Sequence, residues 1–429
     1  HAGYEQDSSG MLPANIDYWS RGMSGALDLS TRTLEGLVTL SQASGRSSRP
    51  KHFSVEAPFS RRRFLKGMGA IGGASMLASS PLQAVMESKP GPLILPPNHV
   101  IRANFNENPY GVSRVALRAI QNTFDQAGHY SSGPRQRVME VMTNLHDLPP
   151  ENVILGSGSG ELLKAAGLMV AMTKGSVVCA DPTYHDLIRF AESNGAEIIK
   201  VPVADNLGID LEAMKKAMRK DTKIVYIVNP NNPIPSILAK KELEDFVKEV
   251  SKKCMVFVDE AYYEYVEDPS YGSMIDLVRA GQKNLIVTRT ASKIHGMAGL
   301  RVGFGFGHVD LLKKLSQIQT GQMNVLGLAG AAASYKDTEF QNFTRRKTRE
   351  SKIIMEEMIN DLGLRTTKSH ANFVFFETGR AVEEINGKLK EKRIISGRPF
   401  PPYLKWSRVS LQKPEEMRYF AQTYKQLFG

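Results

Sequence analysis

Lys293 is the residue whose neighbours most suggest chemistry. Hydroxyls at Thr290 and Ser292 precede it, small residues (Gly296, Ala298, Gly299) follow, and Arg301 comes eight residues on. Apolar runs flank the segment, 284–287 before it and 302–306 after it. A lone lysine belongs on a solvated face. A lysine in a turn of small residues, with hydroxyls and an arginine able to hold an anion, can instead act as an amine that condenses with an aldehyde.

Further polar groups stand where other apolar runs end. Gly156-Ser-Gly-Ser-Gly-Glu161 joins one such run to a helical stretch, and its small residues let backbone N–H groups approach a phosphate at the helix N-terminus. Asp259 closes Met255-Val-Phe-Val and can face a cationic ring nitrogen, or serve as a plain loop acid. Asn229-Pro-Asn-Asn-Pro233 ends the run 223–228 and is also a good turn. Tyr184 follows the run 176–180 in Asp181-Pro-Thr-Tyr and offers a ring face.

These residues need a sheet to bring them together. Strand-like runs at 152–155, 176–180, 197–201, 223–228, 255–258, 284–287 and 302–306 alternate with helical spacing at 160–172, 184–194, 210–219 and 239–252. That alternation predicts an α/β fold, a mostly parallel seven-stranded sheet with helices on both faces. Ligands of such sheets bind beyond the strand ends. A long helical stretch at 339–362 and apolar runs at 372–376 and 406–411 predict a smaller α+β domain. The expected organisation is a leader over 1–90, an arm and part of the small domain over 91–125, a large domain over 126–325, and a C-terminal small domain over 326–429.

The chain has 429 residues, 41% hydrophobic and 23% charged, which is a globular balance. Its net charge of +11 invites an anionic partner. No basic run interleaves with aromatics, so a preference for anionic substrates is expected rather than nucleic acid. Cys179 and Cys254 lie in apolar runs and are expected as buried free thiols. No Cys-x-x-Cys or His-Glu-x-x-His spacing is present, and no metal site is expected. In the leader, Ser60-Arg-Arg-Arg-Phe-Leu-Lys66 precedes a Gly/Ala-rich apolar segment, 67–78, too short for a confident membrane span. This resembles a twin-arginine export signal, with Ala84 as a cleavage candidate, and implies export to a bacterial periplasm with no stable membrane insertion. If the signal reading fails, the expected location is the cytoplasm.

Taken together and in order, Asn106-Glu-Asn-Pro-Tyr110, Asn229-Pro-Asn-Asn-Pro233, Asp259-Glu-Ala-Tyr262, Ser292-Lys293 and Gly299-Leu-Arg-Val-Gly303 resemble the class I/II aminotransferases of fold type I. Within them the chain is most similar to the histidinol-phosphate aminotransferase branch. The resemblance covers about 330 residues, from Asn104 onward. It implies pyridoxal 5'-phosphate (PLP) as cofactor, Lys293 as catalytic residue through an internal aldimine, and transfer of an amino group from an amino acid or amino-alcohol phosphate to a 2-oxo acid. It further implies that Asp259 pairs with the pyridine nitrogen and Tyr184 stacks on the ring. Asn232 and Tyr262 would bond the phenolic oxygen. Ser159, Gly160, Glu161, Thr290, Ser292 and Arg301 would line the phosphate end. Tyr130 would reach that phosphate from the partner of a homodimer. Arg408, with Tyr110 and Arg398, would serve the substrate.

Three positions depart from the family pattern: Asn232-Pro-Ile-Pro235 where Asn-Pro-Thr-Gly is usual, Tyr130-Ser-Ser132 for Tyr-Pro-Asp, and Ser159-Gly-Glu161 for Ser-Asp-Glu. All adjoin the expected site. A PLP-dependent decarboxylase, lyase or oxidase uses the same residues, because which Cα bond breaks depends on its angle to the ring. A PLP-binding regulator is a third reading; residues 1–90 show no helix-turn-helix pattern.

Overall fold

The apolar runs in the middle of the chain form one sheet. Its strands are β2 (Val153–Gly156), β3 (Ser176–Asp181), β4 (Glu197–Pro202), β5 (Thr222–Val228), β6 (Met255–Asp259), β7 (Leu285–Thr290) and β8 (Gly303–Gly307). They lie in the order β2-β8-β7-β6-β5-β3-β4. The registers of β3 through β7 are parallel, while β8 runs antiparallel to both its neighbours, β2 and β7. This computed structural model describes residue 96, residues 98–130 and residues 132–429, all within one unit, Ala84–Gly429. The leader with Arg61, Arg62 and Ala84 lies outside the described residues.

The strands read as unbroken apolar runs because both faces are covered. Along β5, Val225 and Ile227 point into one apolar cluster with Val256, Val258 and Val287. Ile224, Tyr226 and Val228 point into another, with Phe257 and Ile286. Cys179 and Cys254 are buried free thiols. Helices α3 (Ser159–Met172), α4 (Asp186–Ser193), α5 (Leu211–Ala217), α6 (Lys240–Val250), α7 (Ile275–Arg279) and α8 (Val309–Ser316) connect or follow these strands. Before the sheet come α1 (Arg114–Gln121) and α2 (Ser132–His146); α9 (Val325–Ser334) follows it.

The smaller part pairs β9 (Phe373–Glu377) antiparallel with β11 (Trp406–Ser410), and β1 (Ile101–Ala103) parallel with β10 (Ile394–Ser396). The helices α10 (Thr338–Asp361), α11 (Val382–Glu391) and α12 (Pro414–Phe428) belong with them. Val374, Phe376 and Val409 pack there against Met355 and Ile359 of α10 and Phe420 and Tyr424 of α12. The N-terminal arm thus joins the C-terminal part through β1. Among the described residues no helix is long and apolar enough to cross a membrane.

Candidate active site

Five strands of the large sheet end at one cleft of about 560 Å³. Each strand delivers its polar residue as backbone pairing stops. Asp259 is the last residue of β6 and is only 2% exposed. Its Oδ1 accepts a hydrogen bond from Thr288 Oγ1 at 3.0 Å. Burial pushes this carboxyl from the ordinary 3.8 up to about 7, against the opposing pull of the Thr288 hydroxyl and Lys293. A carboxylate so enclosed needs a cation beside it to ionise.

The opposite wall is an anion cradle. Several helices here have a side-chain cap: Asn324 accepts N–H groups at the start of α9, and Asp337 at the start of α10. Helix α3 begins instead after Gly158, at φ +77°, with no side-chain cap. Its first N–H groups and positive dipole end are therefore left for a ligand. The guanidinium of Arg301 occupies the space where a Cβ of residue 158 would lie. Gly303 lets its strand approach the backbone of Gly158 and Ser159, which any side chain would block. Arg301 itself has φ +52°, and its Nη1 donates to Ala298 O at 2.9 Å and Ser292 Oγ at 3.5 Å. Thr290 Oγ1 donates to Ser292 Oγ at 2.9 Å.

Lys293 lies between these walls. Its Nζ donates to the carbonyls of Phe105 (3.3 Å) and Asn106 (3.4 Å) and sits 5.4 Å from the Tyr262 ring centroid. The Tyr262 hydroxyl accepts from Asn106 Nδ2 at 3.0 Å and Asn232 Nδ2 at 3.2 Å. The Oδ1 of Asn232 is held in turn by Arg408 Nη1 at 2.7 Å. Arg408, in β11, also donates from Nη2 to Asn104 O at 2.6 Å, while its buried Nε has no partner. Burial draws this guanidinium down to about 10, and Arg398 adds to the effect.

The cleft therefore gathers Lys293, Ser159, Gly160, Tyr184, Asn232, Asp259, Tyr262, Thr290, Ser292, Arg301, Arg398 and Arg408. Three expected residues do not line it. Glu161 turns its carboxylate to the N–H groups of Ser157 (2.6 Å) and Gly321 (2.5 Å), tying the cradle loop to the segment before α9. Tyr110 packs edge-on to Phe343 at 4.9 Å. Tyr130 is fully exposed. Among the cleft residues without an assignment from sequence are Asn106, His185, Asp186 and Asn386. Asp186 accepts the Tyr184 hydroxyl at 2.9 Å. Its position two residues past the ring was the only signal that could have found it. Of the departures from the usual pattern, Ile234 is fully buried with Phe375, Phe400 and Trp406, and the guanidinium groups of Arg398 and Arg408 stand 4.4 and 4.8 Å from the Phe400 ring centroid.

The donor set fits PLP on three separate grounds: a buried carboxyl for a cationic ring nitrogen, an uncapped helix end with an arginine for a phosphate, and a lysine amine between them. Comparison with known proteins leads to the same place. The family model for class I and II aminotransferases matches residues 97–423. A histidinol-phosphate aminotransferase of Moorella thermoacetica is 34% identical over 297 residues, covering 69% of this chain and 77% of that protein. One of Symbiobacterium thermophilum is 32% identical over 336 residues, covering 77% and 91%. The fold is also that of the histidinol-phosphate aminotransferase of Sinorhizobium meliloti solved in complex with pyridoxal-5'-phosphate. There the TM-score is 0.71 at 23% identity, over 82% of this chain and 100% of that one.

Proposed function

The chain belongs to the class I and II aminotransferases and uses PLP to transfer amino groups to 2-oxo acids, and from that premise we propose that its amino donor carries a distal anion, a carboxylate or phosphate. Bound PLP supplies the electron sink that stabilises negative charge at the donor's Cα. The chain supplies the rest. Asp259 holds a proton at the ring nitrogen through charge pairing. Lys293, whose amine is within the cleft, moves the proton at the substrate Cα. Asn232 and Tyr262 form a hydrogen-bonded pair that would hold the ring's edge. Arg408 orients the substrate, because its rigid fork suits an oxyanion.

The observation that carries the substrate reading is Arg408. It is 9% exposed, its Nε lacks a partner, and Arg398 stands at the same end of the cleft. Two arginines converging there favour a donor with a second negative group. The test is a donor screen with 2-oxoglutarate, read by oxo-acid formation. Donors bearing a distal carboxylate or phosphate should turn over best; an equal response to uncharged donors of the same length would reject the reading, and carbon dioxide release without glutamate would reject transfer for that donor.

The same proposal includes a homodimer in which the partner supplies Tyr130 to the phosphate end. It is supported by the full exposure of Tyr130 and by the exposure of large apolar residues such as Phe105 and Phe124 in the stretch before α2. Mixing Tyr130→Ala and Lys293→Ala chains should restore activity, since each hybrid would hold one intact site; no recovery would exclude the sharing. Export by the twin-arginine route is supported by Arg61, Arg62 and the apolar segment after them. Residues 1–90 should carry a reporter out of the cytoplasm, and Arg61→Lys with Arg62→Lys should retain it.

A further inference from the structure

The substrate end of the cleft contains a titratable group that neither the cofactor nor the proton transfer uses. His185 follows the ring-facing Tyr184 and opens α4. Its Nδ1 lies 3.3 Å from Arg398 Nη2. A guanidinium can only donate, so Nδ1 must carry the lone pair and the neutral ring's proton must sit on Nε2. The Nε2 atom is 3.9 Å from Asp186 Oδ1, and Asp186 Oδ2 accepts the Tyr184 hydroxyl. The groups form one line, from the outer arginine through the imidazole and carboxylate to the ring-facing tyrosine.

The charges around His185 come from each element packed on it. Arg398 approaches from the loop after β10, Arg408 from β11, Arg189 from one turn along α4, and Asp186 is its neighbour in sequence. The Tyr184 ring adds a neutral face, its centroid 5.4 Å away. Burial, then the arginines, hold the imidazole below its ordinary range, while Asp186 opposes them. An anion that engages Arg398 and Arg408 changes both sides of this balance. It neutralises two of the three repelling cations, and it draws the Arg398 N–H from Nδ1 and frees the lone pair for a proton.

We propose that His185 is a specificity-determining residue that takes up a proton when the substrate's distal anion engages Arg398 and Arg408, so that pH sets the preference for such substrates. This rests on the distal-anion reading above. The linkage has a definite sign. Free His185 is neutral at working pH and the complex carries imidazolium, so anion binding is tightest at low pH and weakens as pH rises through the bound-state pKa. With one proton per site, the change is at most about tenfold per pH unit. An uncharged distal group leaves the arginine on Nδ1 and has no such dependence.

The experiment uses the holoenzyme with glutamate and glutamine as donors and glutarate as a dead-end ligand. Glutarate's carboxylates are essentially ionised above about pH 7, so calorimetry run there contains almost no titration of the ligand itself. Calorimetry in two buffers of different ionisation heat reads proton uptake directly, and the ratio of kcat/KM for glutamate over glutamine from pH 6 to 9 cancels ionisations common to both donors. The parent should take up a measurable fraction of a proton on binding glutarate, and its ratio should fall as pH rises. His185→Asn and His185→Gln keep an acceptor for Arg398 without a titratable ring; both should bind glutarate without proton uptake and show a flat ratio. Uptake that persists in both variants, or none in a parent that binds glutarate, overturns the role of His185 and leaves the distal-anion reading intact. A parent that neither binds glutarate nor prefers glutamate at any pH rejects that reading, and this proposal with it.

Discussion

Replacing Asp259 by Asn should make the cofactor-free protein more stable at alkaline pH while weakening catalysis. Asp259 is fully enclosed, and burial lifts its carboxyl from 3.8 to about 7. Between those values the unfolded chain has lost the proton and the folded chain keeps it. The folded state then binds more protons, so stability falls as pH rises, by about 1.4 kcal/mol per pH unit. Over roughly three units the loss is about 4 kcal/mol, complete once pH passes about 7. Asn removes that charge and retains an acceptor for Thr288 Oγ1. It also turns one oxygen into a donor where the Ala261 N–H needs an acceptor, at about 1–3 kcal/mol. Asp259→Asn should therefore lie within about 1.5 kcal/mol of the parent at pH 5 and be more stable than the parent at pH 8. Denaturant unfolding of cofactor-free protein at both pH values measures the difference between the two chains. A difference that does not change between pH 5 and 8 would show that Asp259 does not keep its proton in the folded chain. Equally, addition of PLP should stabilise the parent more than the variant at pH 8, because only the parent gains a partner for a buried charge.

Three further substitutions separate the parts of the cleft. Gly158→Ala places a methyl group against the Arg301 guanidinium at a positive φ; PLP affinity by equilibrium dialysis should fall at least about tenfold, with a stability loss of about 1–2 kcal/mol. Arg408→Lys forfeits the fork that spans Asn232 and Asn104; KM for the preferred donor should rise about tenfold to a hundredfold, as expected for lost charge-assisted bonds, with the bound cofactor's visible spectrum unchanged. Glu161→Gln should lower stability by about 1–2 kcal/mol through one lost bond to Ser157 or Gly321, with PLP affinity unchanged; a matching loss of affinity would give Glu161 a direct contact with the phosphate.

The sheet was legible from sequence because its strands are apolar on both faces and break at polar residues. Asp259, Thr290 and Gly156 end their strands where the pattern changes. The direction of β8 was not legible, since Gly303-Phe-Gly-Phe-Gly reads the same in either orientation, and closure against β2 and β7 decides it. Side-chain aim was less legible still. Glu161 opens α3 beside the cradle, yet its carboxylate is spent on two backbone N–H groups, one of them 160 residues away. Asn106 reaches Tyr262 across 156 residues, and Arg408 reaches Asn104 across 304. No periodicity encodes such meetings; only the resemblance pointed to Arg408.

Those long-range contacts also explain why the segment around Lys293 depends on the N-terminal arm. Asn108 Nδ2 donates to Ile294 O at 2.7 Å, next to the lysine, and Lys293 Nζ donates to the carbonyls of Phe105 and Asn106. Gly296, at φ +68°, lies so close to the Gly111 carbonyl that no side chain could stand there. The arm in turn is pinned to the C-terminal strands: Asn372 Nδ2 donates to Asn106 O at 3.0 Å, and Ser410 Oγ donates to Asn106 Oδ1 at 2.7 Å. Asn106 thus touches the lysine, the Tyr262 hydroxyl and both strands β9 and β11 or their flanks. A substrate that draws Arg408 off Asn104 acts on the same arm. If Arg408 holds the substrate, its engagement and the release of the lysine amine would be joined through one short stretch of backbone. Asn106→Ala should raise KM and lower kcat together, where loss of a lone substrate contact would raise KM only.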